Sequence, residues 1–300
     1  MKKFIPFLFF VFALISCEDV VQIDVPQEEP RLIINGIIRV DESKVFVPVE
    51  IKVTETNNFF GETPVTQLEN ALIIYGQPNP DAPELLDNLA TSALAESPPG
   101  SGIYIPDPTF DVDQRIQTAS LLPNTIFTLL IDHKGRSYAA RTPYSKTTPI
   151  DNLVQGDETL FDEDDTEIKI TFTDALDEDN YYVFDFGFGE FLALEDEFID
   201  GQQFEFSYFY QKDLEPNQEV EISIMGADQQ FFNYMNLLVE QTQNDGGVFE
   251  TPAATVRGNM FDVTDLDNID LLDNVEQPNI FPLGYFAVVQ EYKQAITIQQ

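Results

Sequence analysis

From Lys44 to Thr54 every odd position is apolar: Val45, Val47, Val49, Ile51 and Val53. The even positions are mostly polar, and an apolar period of two is the mark of a strand with one buried face. The pattern returns in the second half of the chain. Ile168, Ile170 and Phe172 alternate, as do Tyr182, Phe184, Phe186 and Phe188, then Phe204, Phe206, Tyr208 and Tyr210, then Val220, Ile222 and Ile224. With no Trp in the chain, these aromatic faces are expected to supply the core. Such a sequence has to fold mainly into β-sheet.

Further strands are expected over 31–40, 71–75, 103–105, 126–132 and 137–142. Pro48 has no N–H to give to a ladder, so the 44–54 segment reads as an edge strand. Asp132-His133-Lys134-Gly135 reads as a hairpin turn, with Gly135 free to take a positive φ. The Pro-, Asn- and Ser-rich stretch 76–102 reads as a loop carrying at most one helical turn near Glu84–Leu89. Short strands joined by such turns predict a β-sandwich of the immunoglobulin or fibronectin type over residues 31–150. A second β-rich domain is expected over 151–300. Within it Phe231, Tyr234, Met235 and Leu238 switch to helical spacing. Asp228 suits an N-cap and Gly246-Gly247 a stop, so one amphipathic helix is expected at about 228–244.

Charge supports the boundary at Pro149-Ile150-Asp151. Residues 18–150 carry 9 basic and 19 acidic side chains, whereas 151–300 carry 4 and 34. The whole chain stands at −38, which repels phosphate backbones and excludes nucleic-acid binding by electrostatics.

Residues 1–17 read as a lipoprotein signal peptide. Lys2 and Lys3 precede an apolar run from Phe4 to Ile15, too short for a bilayer-spanning helix. Leu14-Ile15-Ser16-Cys17 resembles the lipobox of bacterial lipoproteins, in which the Cys is diacylated and becomes the new N-terminus. Cys17 is the only Cys of the chain, so no disulfide competes for it. We therefore expect Cys17 as the lipid attachment site, with residues 18–30 as a tether. Glu18 and Asp19 resemble the export signal of surface-exposed lipoproteins.

Several ordered segments resemble the bacterial lipoprotein family named domain of unknown function 4249. They include Arg31-Leu32-Ile33-Ile34-Asn35-Gly36, Glu69-Asn70-Ala71-Leu72-Ile73-Ile74-Tyr75, Leu122-Pro123-Asn124-Thr125 and Asp200-Gly201-Gln202-Gln203-Phe204. Val256-Arg257-Gly258-Asn259-Met260 and Leu283-Gly284-Tyr285-Phe286 resemble the closing motif of the family. Here the acidic stretch 261–282 intervenes between the two halves of that motif. The resemblance implies an outer-membrane location beside TonB-dependent receptors, the β-barrel importers. It implies no catalytic residue.

The remaining chemistry is sparse. His133 is the only imidazole and falls at a predicted turn, which reads as solvated rather than as the base of a triad. There is no GxxxxGK[ST] loop, and Gly187-Phe188-Gly189 lacks the third Gly of a dinucleotide fingerprint. The acidic segments Asp162–Asp165, Asp174–Asn180 and Asp262–Asp273 offer oxygen ligands to calcium, but none has the EF-hand spacing; they read as solvated loops. We therefore expect no catalytic residues, cofactor or metal. The function expected is a lipid-anchored outer-membrane protein facing the cell exterior. It would act as a non-enzymatic accessory or substrate-binding subunit of a TonB-dependent importer, with an unknown small-molecule ligand. A calcium-assisted adhesin or glycan-binding module is the alternative.

Overall fold

The computed structural model describes residues 30–56, 66–160, 165–211, 214–242, 256–264 and 281–299. Fifteen strands and one α-helix are found among them. The first seven strands are β1 (Leu32–Val40), β2 (Ile51–Glu55), β3 (Asn70–Asn79), β4 (Ala82–Glu96), β5 (Ile103–Pro106), β6 (Ile126–His133) and β7 (Arg136–Ser145). The remainder are β8 (Ile150–Gln155), β9 (Thr166–Thr173), β10 (Tyr181–Asp185), β11 (Phe191–Glu195), β12 (Gln203–Tyr210), β13 (Glu219–Ala227), α1 (Gln229–Thr242), β14 (Met260–Asp262) and β15 (Leu283–Thr297).

The first seven strands do not form a sandwich. They run in the order β1-β2-β5-β4-β3-β6-β7 through antiparallel pairs, and β15 closes the ring. Its first half lies parallel to β1 over eight residue pairs, from Ile33↔Leu283 to Val40↔Gln290. Val288 and Val289 also pair with Tyr144 and Ser145 of β7. The result is a closed eight-stranded barrel, which leaves no free edge within the ring. Up to β7 the local alternation of a barrel and of a sandwich is the same. The closing strand arrives from more than 130 residues away, which is why the sandwich expectation fails.

Two local expectations fail with it. β2 is an interior member of the ring, paired with β1 and β5. Pro48 sits ahead of it, so no ladder hydrogen bond is lost. The alternation still reads true for burial, since Val47, Val49, Ile51 and Val53 all enter the core while Val45 stays exposed. The 76–102 stretch is a long hairpin rather than a loop with a helical turn. β3 and β4 pair out to Asn79↔Ala82, with register shifts at Tyr75/Gln77 and Pro78/Asn79. Proline breaks the alternation there and hides the strands.

Beyond the ring, the second half of β15, Glu291–Thr297, pairs with β13, followed by β10 and β11. A separate sheet, β12-β9-β8, faces this extension. The two meet through aromatic rings. Phe172 contacts Tyr182, Phe184 and Phe204 edge-on, with centroids at 5.1, 5.5 and 6.1 Å. Phe186 stacks on Tyr208 at 3.6 Å. Phe188 departs from the expected face: it lies past β10 at φ 59° and is exposed.

α1 covers the opposite face of the extension. Asp228 caps it, its Oδ1 accepting the Phe231 N–H at 2.7 Å, which satisfies one of the free amides of the first turn. Phe231 and Met235 bury themselves against Val183, Met225, Ala287 and Val289. β15 thus separates two cores, with Phe286 and Val288 facing the barrel and Tyr285, Ala287 and Val289 facing the helix. Period two on a strand buried on both sides allows this division.

Candidate functional site

A pocket of about 780 Å³ opens where the barrel meets the helix. β6 and β7 give one wall through Ile126, Arg141 and Pro143. The first turns of α1 give the second through Gln230, Asn233, Tyr234 and Leu237. The segment 257–261 forms the third, and Tyr285 of β15 completes it. The volume lies in the range of small-molecule sites, as does the mixture of apolar walls and a few polar groups.

Close backbone packing sets the third wall. Gly284 has φ +89°, and a Cβ there would stand 1.9 Å from the Ile34 carbonyl oxygen. A Cβ on Gly258 would stand 1.6 Å from the Gly284 oxygen. Only glycine fits either place. Asn259 then locks the segment: its Nδ2 donates to the Phe286 carbonyl at 2.8 Å, and its Oδ1 accepts the Phe286 N–H at 2.9 Å. These contacts hold Arg257 at the rim, with its guanidinium 4.5 Å from the centre of the Phe281 ring.

The electrostatics of the pocket run against those of the chain. Arg141 and Arg257 both line it. Asp228 is the one carboxylate among its described lining residues, and burial pushes that group above its ordinary 3.8 despite the helix N–H groups that pull it down. Tyr285 is 3% exposed, and its hydroxyl forms no hydrogen bond with any described residue. Burial first, and then the nearby Asp228, push the Tyr285 phenol well above its ordinary value, so it is a protonated donor at neutral pH.

Residues 18–269 match the family described as domain of unknown function (DUF4249). The chain belongs to that family. No curated protein matches it. In this DUF4249 chain the halves of the motif carrying Gly258-Asn259 and Gly284-Tyr285-Phe286 touch in space and build the pocket. The sequence marked those residues by resemblance alone, with no sign of a cavity. Arg141 was visible only as one polar position in a strand; no local signal pairs it with Arg257, 116 positions away.

The other expected positions fall elsewhere. Cys17 lies outside the described residues, as do Gly246-Gly247, Asp162–Asp164 and Asp265–Asp273. His133 is not a solvated turn residue. It ends β6, is buried, and places Nε2 2.9 Å from Glu55 Oε1. The turn proper is Lys134-Gly135, both with positive φ, the two-residue geometry that suits strand twist. The partner of His133, Glu55, belongs to β2, 78 positions away in the sequence, which a local reading cannot foresee. Asp174, Asp196 and Asp200 bring carboxylate oxygens within 4.8 Å of one another. Each already accepts a backbone N–H, from Gly201, Asn180 and Asp177 respectively, and Tyr182 donates its hydroxyl to Asp174.

Proposed function

We propose that this DUF4249 protein is a lipoprotein, anchored through Cys17 to the outer membrane and facing the cell exterior. It serves there as a non-enzymatic accessory or substrate-binding subunit of a TonB-dependent importer. The pocket between barrel and helix is the observation that carries the reading. Among its described lining residues are no His, Cys, Ser or Lys, and the one carboxylate among them is occupied in capping α1. That is a set of groups suited to holding a molecule, without the nucleophile and base that acyl or glycosyl transfer requires. The lipobox-like Leu14-Ile15-Ser16-Cys17 supports the anchor. Two or three acyl chains hold a protein firmly, at about 0.8 kcal/mol per buried CH₂.

Affinity purification from detergent-solubilised membranes tests the partner: a β-barrel receptor should co-purify in a fixed ratio. Recovery of the chain without any such receptor would refute the importer role. Cys17→Ser should release the protein from the membrane fraction or leave it unprocessed, and full membrane retention of a processed, unlipidated chain would refute the anchor.

A further inference from the structure

We propose that the pocket between barrel and helix binds a small organic anion, a carboxylate carried on an apolar body. The first ground is the state of the two arginines. Acidic side chains outnumber Lys and Arg by 53 to 15, so a basic group readily finds a carboxylate. Eight described Lys and Arg side chains do so within 4.0 Å. Arg141 and Arg257 form no ion pair with any described residue, yet both line the same pocket. A guanidinium presents a planar fork of donors that matches a carboxylate in bidentate fashion.

The second ground is Tyr285. A phenol hydroxyl buried without a partner loses the hydrogen bond it makes in water, at a cost of about 1–3 kcal/mol. Its ring is held by Phe231 at 5.2 Å and Tyr234 at 4.6 Å between centroids, so the hydroxyl cannot swing out to solvent. Its ionisable neighbours, Asp228 and Tyr234, both line the pocket. A ligand oxygen that reaches it would supply the partner this donor lacks among the described residues.

The third ground selects the rest of the ligand. Ile126, Pro143, Tyr234, Leu237 and Phe261 give the walls an apolar character. A bare inorganic anion would leave that surface and most of the 780 Å³ unfilled. Asp228 adds a negative charge, but it is turned toward the helix amides. The described lining, two arginines and one carboxylate, is therefore positive by one within a chain of −38.

Titration calorimetry on the full chain in detergent, at 0.3 M NaCl, tests the proposal. The probes are acetate, hexanoate, 4-phenylbutyrate, 4-phenylbutyramide and inorganic phosphate. Hexanoate or 4-phenylbutyrate should bind at least tenfold tighter than acetate, phosphate or the neutral amide. Arg257→Gln, at an exposed position, should weaken binding at least tenfold, and so should Arg141→Gln. Tyr285→Phe keeps the ring and should weaken binding several-fold. Equal affinity for acid and amide, or binding unchanged in both arginine variants, would overturn the anion assignment. Phosphate as the best probe would overturn the organic body, and no binding by any probe would overturn the site. The assay uses the isolated chain, so its result is independent of whether a receptor co-purifies.

Discussion

The carboxamide of Asn259 meets both backbone polar groups of Phe286, giving one hydrogen bond and taking another at 2.8 and 2.9 Å. It acts as a one-residue substitute for a neighbouring strand on β15. Phe286 is fully buried, so water has no route to replace these bonds.

Asn259→Ala should therefore leave a buried N–H and C=O without partners. At about 1–3 kcal/mol for each unsatisfied group, we expect a loss of ~2–6 kcal/mol in urea unfolding. Asn259→Asp keeps the acceptor but sets a buried carboxylate oxygen against the Phe286 carbonyl, and at neutral pH should destabilise at least as much as alanine. Equal stability of wild type and alanine variant would contradict this account.

Asp228 predicts a pH effect. Burial raises its carboxyl above 3.8, so the folded chain holds this proton to higher pH than the unfolded chain does. The associated stability is fully present below the unfolded value and is lost as pH rises through the folded one. Asp228→Asn keeps an N-cap and removes the charge. It should flatten the stability profile over that window, read from urea midpoints between pH 3 and 7, whereas Asp228→Ala should lose about 1 kcal/mol at every pH.

Glu55 behaves in the opposite sense. Burial raises its pKa, but hydrogen bonds from Lys134 Nζ at 2.6 Å and from His133 outweigh this, and the net value lies below the ordinary 4.5. Its contribution is complete above 4.5 and disappears as pH falls through the folded value. Glu55→Gln should remove that part of the acid slope between pH 5 and 3. An unchanged slope in the variant would show that the cluster does not link β2 to the β6–β7 hairpin energetically.

Phe172 stands at the centre of the aromatic contact between the two facing sheets. Phe172→Ala should cost about 3–5 kcal/mol through lost transfer energy and a residual cavity. Phe204→Ala, at a half-buried position on the same face, should cost less. Denaturant midpoints rank the pair, and a reversed order would place the weight of this core on β12.

The net charge of −30 over residues 151–300 repels itself in the folded state. Raising NaCl from 0.02 to 0.3 M shortens the Debye length severalfold and should raise the melting temperature. Millimolar calcium added at 0.3 M NaCl should contribute nothing further, because Asp174, Asp196 and Asp200 already accept N–H donors. A calcium-specific rise of several degrees, much larger than that from magnesium, would reverse this expectation.

Much was determined by the sequence alone, because it is local. Alternation selects β-structure and names the buried faces of β9, β12 and β13. Asp228 and the spacing of Phe231 and Met235 place the helix, since capping and a 3.6-residue period operate within a few turns. The tertiary structure decided what depends on distant partners. β15 alone turns a possible sandwich into a ring, and its pairs with β1 join positions about 250 residues apart. The same closure seats Gly258 on Gly284. It also brings Arg141, Arg257 and Tyr285 to one pocket. A period of two records which face of a strand is covered, but not which strand lies beside it. Closure and the site that follows from it are set by pairing energies between segments that carry no local trace of one another.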